Sequence, residues 1–271
     1  MTKEFLLIRH SERIDEVDMP AWASMVENDK SGRDMISVSN DPPITANGAE
    51  LAKRAAISVR SLGLIESAQR EGKTITIYSS RLIRCVQTAY EIAVLLGLPI
   101  HISSGLSLTA IAVIKAKGSF EFQSLESLRA ACPGVELIDC DDNTIPERFV
   151  PNKHWQGAIE RIVDRGEVNI LVVHRETIRN FCGHRLRTPY CCLGLATFHD
   201  PRGKQGHASK SRQPQQHQHG HPHSSSSSSS SGSGSSSDPI FFLRSVHDHT
   251  GQVVEQLTKA HNVVHSLVDL N

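Results

Sequence analysis

Arg9, His10, Ser11, Glu12 and Arg13 follow directly on the apolar run Phe5-Leu6-Leu7-Ile8. An imidazole flanked by two guanidinium groups is a strained arrangement unless an anion lies between the cations. Phosphate is the anion whose oxygens match a guanidinium fork. Two further segments supply the same kind of chemistry. Tyr78-Ser79-Ser80-Arg81-Leu82-Ile83-Arg84 ends an apolar run with serines able to cap a helix and an arginine in the helix's first turns. Asn169-Ile170-Leu171-Val172-Val173-His174 ends another in a histidine. Backbone N–H groups at a helix start favour an anion, and in open α/β sheets ligands bind at the carboxyl ends of the strands.

The elements that position these residues are legible as periodicity. Apolar, β-branched runs at 4–8, 74–79, 99–103, 169–174, 191–198 and 240–246 predict strands. Helical spacing opens at Thr45, where Leu51, Ala55 and Val59 recur, and runs through Val86, Ala89 and Ala93 over 82–96. Further helices are predicted over 153–165, 175–186 and 252–268. Alternation of this kind argues for a three-layer α/β/α fold: a mostly parallel sheet with helices on both faces. The reading divides the chain into a core over 1–199, a low-complexity disordered insertion over 200–238, and a final strand and C-terminal helix over 239–271. The insertion is rich in Lys, Gln and His and then in serine, with nothing apolar to bury. His207, His217, His219, His221 and His223 within it could bind adventitious metal, but a compositionally biased tract is the preferred account and no function is placed there.

Bulk properties exclude several classes. Lys and Arg number 29 against 29 Asp and Glu, which argues against a generic nucleic-acid or membrane-surface binder. No apolar run approaches the roughly 20 residues of a membrane span. The first residues show no signal-peptide pattern, so a cytoplasmic protein is expected. The six cysteines, 85, 132, 140, 182, 191 and 192, contain no C-x-x-C pair and are expected to be reduced thiols. Cys85 lies near the proposed site in sequence, but with His10 available it is not assigned as a nucleophile.

The pattern resembles the histidine phosphatase superfamily, the phosphoglycerate-mutase-like enzymes. It looks most like the branch containing the T-cell ubiquitin ligand (TULA) tyrosine phosphatases. The resemblance rests on Leu7-Ile8-Arg9-His10-Ser11-Glu12-Arg13, on Asp41-Pro42-Pro43-Ile44-Thr45 with Gly48, on Ser80 through Ala89, on Val172-Val173-His174, and on Pro189-Tyr190-Cys191. It implies that His10 attacks phosphorus and becomes a phosphohistidine. Arg9, Arg13 and Arg84 would bind the phosphoryl oxygens, and His174 would stabilise the charge that develops in transfer. No metal or other cofactor is implied. The expected partner is a phosphorylated small molecule or a phosphoprotein, with no nucleic acid and no membrane; the oligomeric state is open, a homodimer included. Chemistry agrees, since a neutral imidazole is nucleophilic and phosphoryl transfer needs mostly positioning and positive charge.

Two departures from the family pattern matter. Ser11 stands where glycine is usual. Leu108, in Gly105-Leu106-Ser107-Leu108-Thr109, stands about where the family carries the glutamate that protonates the leaving oxygen. Three explanations remain open. The acid comes from the next segment, where Glu121 is preferred over Glu126, Asp141 and Asp142. Or the substrate has a good leaving group, such as phosphotyrosine or an acid anhydride. Or the protein is a catalytically weak pseudophosphatase that grips phosphorylated partners. A phosphomutase is a separate alternative function, disfavoured because mutases extend the first motif differently. Glu12 is read as a tether for an arginine or a backbone amide. The pocket walls are expected from 15–40 and 105–150, with Trp22 packing in the core or the covering segment.

Overall fold

The computed structural model describes residues 2–115, 120–140, 151–165, 168–182, 188–199 and 240–256. Strand β1 (Thr2–Arg9) leads into three short helices, α1 (Ile14–Val17), α2 (Met19–Glu27) and α3 (Met35–Ser39). Helices α4 (Ala46–Ser61) and α5 (Leu64–Arg70) precede β2 (Ile75–Ser80), α6 (Ile83–Leu96) and β3 (Ile100–Ser103). A 3-10 turn over Ser104–Ser107 passes into α7 (Leu108–Lys115), followed by α8 (Leu125–Ala130) and β4 (Leu137–Asp139). Then come α9 (Pro151–Arg165), β5 (Val168–Val173), α10 (Arg175–Cys182), β6 (Leu193–His199), β7 (Ile240–His247) and β8 (Val253–Gln256).

The eight strands among the described residues form one sheet in the order β4-β3-β2-β5-β1-β6-β7-β8. Strands β4 through β1 are parallel, and β6, β7 and β8 add antiparallel to that edge. Alternation splits each central strand between two cores. Phe5, Leu7, Tyr78, Leu171 and Val173 pack on one face with Leu108 and Ile111 of α7, Trp155 and Ile159 of α9 and Phe181 of α10. Leu6, Ile8, Ile77, Ile170 and Val172 pack on the other with Val59 of α4, Val86, Ala89 and Ile92 of α6 and Leu128 of α8. Burial on both faces is why these strands read as continuous apolar runs. Each fully buried Leu or Ile contributes about 1.5–3 kcal/mol, which sets the sheet as the rigid base for its loops.

The six predicted strands and the helices at 46–61, 83–96 and 151–165 are present, and α10 holds through Cys182. The start of the helix expected over 252–268 is instead β8. Asp248 Oδ1 accepts from the backbone N–H of Thr250 (2.8 Å) and of Gln252 (3.1 Å), and Gly251 takes φ +83°. That turn sends β-branched Val253 back along β7. The rest of the expected helix and the 200–238 insertion lie outside the described residues. β4 has only three residues and too little pattern to be read alone. Trp22 is buried at 7% exposure, in keeping with packing. No helix among the described residues is long and apolar enough to cross a membrane.

One close approach ties α4 to the loop after β1. Thr45 caps α4 by accepting from Gly48 N–H (2.8 Å), while its own N–H donates to the Glu12 carbonyl (3.0 Å). A Cβ on Gly48 would meet that carbonyl oxygen at 2.6 Å, and backbone cannot swing aside as a side chain can. Gly48→Ala is therefore expected to destabilise the fold by about 1–3 kcal/mol. Gly157→Ala in α9, whose Cβ would meet only Arg161 Nη1 at 3.5 Å, should be neutral or slightly stabilising. Urea melts of the two variants beside the wild type check this.

Candidate active site

Sheet order makes the tips of β2, β5 and β1 consecutive neighbours, and paired strands lie about 4.8 Å apart. Arg9 pairs with Val173, so His10 and His174 stand level one residue beyond. The His10 N–H continues the ladder to the Val173 carbonyl at 2.9 Å. The two imidazole rings lie 5.4 Å apart, centroid to centroid. Both rings are buried, as are Arg9 and Arg84.

His10 Nδ1 lies 2.8 Å from the Ser11 carbonyl. A carbonyl only accepts, so Nδ1 carries the proton and Nε2 holds the lone pair of the neutral ring. Burial pushes the His10 pKa well below the ordinary range, and Arg84, His174 and Arg9 push it further. His174 is depressed likewise, first by burial and then by Arg84, Arg13 and Arg9. The His174 ring is located by a chain of hydroxyls: Nε2 lies 2.8 Å from Ser80 Oγ, which lies 2.8 Å from Ser107 Oγ, which accepts from the Arg81 N–H at 3.0 Å. Ser79 and Ser80 end β2 and do not cap α6. The N-cap of α6 is Leu82, without a side-chain bond, and the free Ile83 N–H donates to Asp41 Oδ1 at 2.9 Å.

Asp41 is a site residue to which the sequence assigned no role. Its carboxylate is fully enclosed, accepting also from Arg33 Nη1 (3.2 Å) and Gln123 Nε2 (3.1 Å), and Arg84 Nη1 stands 3.8 Å away. Burial raises its pKa, against the pull of Arg84 and its hydrogen bonds. Arg84 Nη1 also donates to the Asn40 carbonyl at 3.4 Å. The Nε groups of Arg9 and Arg84 are buried and without a hydrogen-bond partner among the described residues.

The other sequence-assigned residues fall outside this enclosed set. Arg13 is part-exposed and engages Asp15 with both Nε and Nη2, and Glu16 through Nη1 at 3.4 Å. Burial works against its charge, but Asp15 outweighs that and raises its pKa. Glu121 is exposed: its backbone N–H donates to Ser37 Oγ (2.7 Å), while its carboxylate has no hydrogen bond or ion pair with the buried cations. Leu108 is buried in the apolar core at 5% exposure. Glu126 is exposed on α8, and Asp141 and Asp142 lie outside the described residues. Glu12 tethers α4, accepting from Thr45 Oγ1 (2.6 Å) and Asn47 Nδ2 (3.2 Å). Ser11 Oγ donates to the Gly48 carbonyl at 2.6 Å, which is how the loop holds a hydroxyl where glycine is usual. Cys85 Sγ lies 3.6 Å from His174 Nε2, but burial pushes its thiol up to about 12, so it stays protonated at neutral pH.

A family model of the histidine phosphatase superfamily (branch 1) matches residues 5–107, which include Arg9, His10, Arg13 and Arg84 and stop short of His174. The resemblance to that superfamily is shown over this part of the chain. No curated protein matches the chain. Similar solved structures include an ecdysone phosphate phosphatase from Bombix mori in complex with tungstate, 18% identical, with 72% of this chain and 88% of that chain covered and a TM-score of 0.47. A mycobacterial glucosyl-3-phosphoglycerate phosphatase complexed with VO3 is 14% identical, covering 73% and 94%, with a TM-score of 0.37. A phosphoserine phosphatase mutant from Entamoeba histolytica in complex with phosphoserine is 18% identical, covering 74% and 92%, with a TM-score of 0.36.

The depressed histidines carry a pH signature. Folded values below the unfolded one mean the unfolded chain takes up more protons, so stability is full above about pH 6.5 and falls as pH drops. Melting temperature from pH 8 to 5 should therefore decline below about 6.5, and His10→Gln should flatten the decline. Asp41, with its pKa raised, works in the opposite sense and is common to both proteins, so the difference between the two curves isolates His10. Parallel curves would show that His10 does not titrate in this way.

Proposed function

We propose that this protein is a metal-independent phosphomonoesterase working through a phosphohistidine on His10. The observation that supports it is the juxtaposition of the His10 Nε2 lone pair with two buried guanidinium groups, each retaining an unpartnered N–H, and with a second neutral imidazole. Nε2 attacks phosphorus; the N–P bond forms as the bond to the ester oxygen breaks, and the leaving oxygen takes the electron pair. Water then attacks phosphorus, the N–P bond breaks, and inorganic phosphate departs. Arg9, Arg84 and His174 offset the charge on the equatorial oxygens. Arg13 joins them by exchanging its carboxylate partners for phosphate.

Proton delivery to the leaving oxygen divides substrates. With Leu108 in the core, position 108 offers no carboxylate, and Glu121 is the proposed donor from the segment that reaches Asp41 through Gln123. Aryl phosphates, phosphotyrosine among them, depend least on such help because the phenolate is a weak base. The same Leu108 favours a second reading, a pseudophosphatase that binds phosphorylated partners without turnover.

Hydrolysis of p-nitrophenyl phosphate from pH 5 to 8 in EDTA tests the proposal. The wild type is expected to be active, His10→Ala to lose at least about 10³-fold and Glu121→Gln to lose little. On an alkyl phosphate Glu121→Gln should lose about 10²-fold or more. Unchanged activity in His10→Ala would end the proposal. A silent wild type that still binds vanadate would establish the second reading.

A further inference from the structure

We propose that Tyr190 is a further ligand-binding residue, its hydroxyl donating to an oxygen of the phosphoryl group held by Arg9 and Arg84. This rests on the phosphoryl-site reading above and extends it to a residue outside the three strand tips. Tyr190 lies in the turn between α10 and β6, and β6 pairs with β1, so the turn abuts the Arg9-His10 tip. Three contacts bind the turn to Arg9. The Arg9 N–H donates to the Cys192 carbonyl (3.1 Å), Arg9 Nη1 donates to the Thr188 carbonyl (2.7 Å), and the guanidinium carbon stands 4.1 Å from the centre of the Tyr190 ring. The ring is also 6.1 Å from that of His10.

The next residue, Cys191, is the described non-glycine residue with positive φ, at +53°. An L-residue rarely adopts that conformation unless its surroundings impose it. Here the turn is closed by Cys192 N–H on the Pro189 carbonyl (3.2 Å). The backbone thus accepts strain at the position that sets the tyrosine against Arg9.

Stacking alone does not account for the hydroxyl. Tyr190 OH is buried and has no hydrogen-bond partner among the described residues, a condition native structures mostly avoid. Arg9 Nε and Arg84 Nε share that condition. A phosphoryl group presents only acceptors, so one group satisfies all three donors, whereas a cation or an apolar ligand satisfies none. Hydrogen bonds to a charged acceptor are the strong ones.

Tyr190→Phe removes the oxygen and keeps the ring over Arg9. Inorganic phosphate binding to the full chain is measured by calorimetry, melting temperature without phosphate is measured alongside, and p-nitrophenyl phosphate kinetics are followed. The expected result is phosphate affinity and kcat/KM each lower by about tenfold or more, with the phosphate-free melting temperature unchanged or raised. Tyr190→Leu, which also loses the stacking on Arg9, should bind more weakly still. Phosphate affinity of Tyr190→Phe within twofold of wild type would overturn the inference. So would a fall in its phosphate-free melting temperature, which would show a structural role for the hydroxyl. If the wild type binds no phosphate, the phosphoryl-site reading falls and this inference with it. If it binds phosphate without turnover, only catalysis falls and the affinity comparison still decides Tyr190.

Discussion

Two arginines held out of water beside two imidazoles are the constraint around which the rest of the site is arranged. Burial opposes the charge of Arg9 and Arg84 and lowers the pKa of both. Their hydrogen-bonding therefore comes largely from fixed oxygens: the Thr188 carbonyl for Arg9, the Asn40 carbonyl and the nearby Asp41 carboxylate for Arg84. Burial first, and then the same positive field, lower the pKa of both imidazoles. Charge and imidazole are thus linked, since the cations suited to an anion also disfavour protonation of the His10 ring.

Asp41 gathers the parts that surround Arg84. Its two oxygens hold the Arg33 side chain from the segment before α3, the first free amide of α6, and Gln123 from the segment before α8. Removing the charge would release all three at once and leave Arg84 less compensated, and changes to hydrogen-bonded buried groups of this kind are seldom small. A matching role on the other side falls to Glu12 and Gly48, which clamp the loop after β1 onto the start of α4. The sheet supplies level strand tips; these two clamps orient what the tips carry.

The remaining departure from the family pattern is at position 108. Ser107 is drawn into the Ser80–His174 hydroxyl chain, and the next residue, Leu108, turns into the apolar core as α7 begins. A carboxylate at 108 would be desolvated among Leu106, Ile111 and Trp155. The packing of α7 and the lack of an acid there are one structural decision.

Much of this was legible in the chain. Continuous apolar runs mark strands buried on both faces, and the polar residue ending a run marks a strand tip, so Arg9, His10 and His174 could be placed from local pattern, and Arg84 from the helix start that follows Ser80. Local pattern failed where pairing or long-range bonds decide. β4 and β8 are strands through their neighbours, and the helix expected over 252–268 begins as β8 because the turn over 248–251 returns the chain to β7. The cap on α6 comes from Asp41, more than forty residues upstream, instead of from adjacent serines. The pairing of Arg13 with Asp15 and Glu16 was not legible either, and no local pattern could reveal that Tyr190 would stack on Arg9. Residue type and periodicity determined which groups stand at the strand ends. Which of them are enclosed, paired or left with a free donor was decided only by tertiary packing, because burial and hydrogen-bond partners belong to the assembled sheet and not to any one segment.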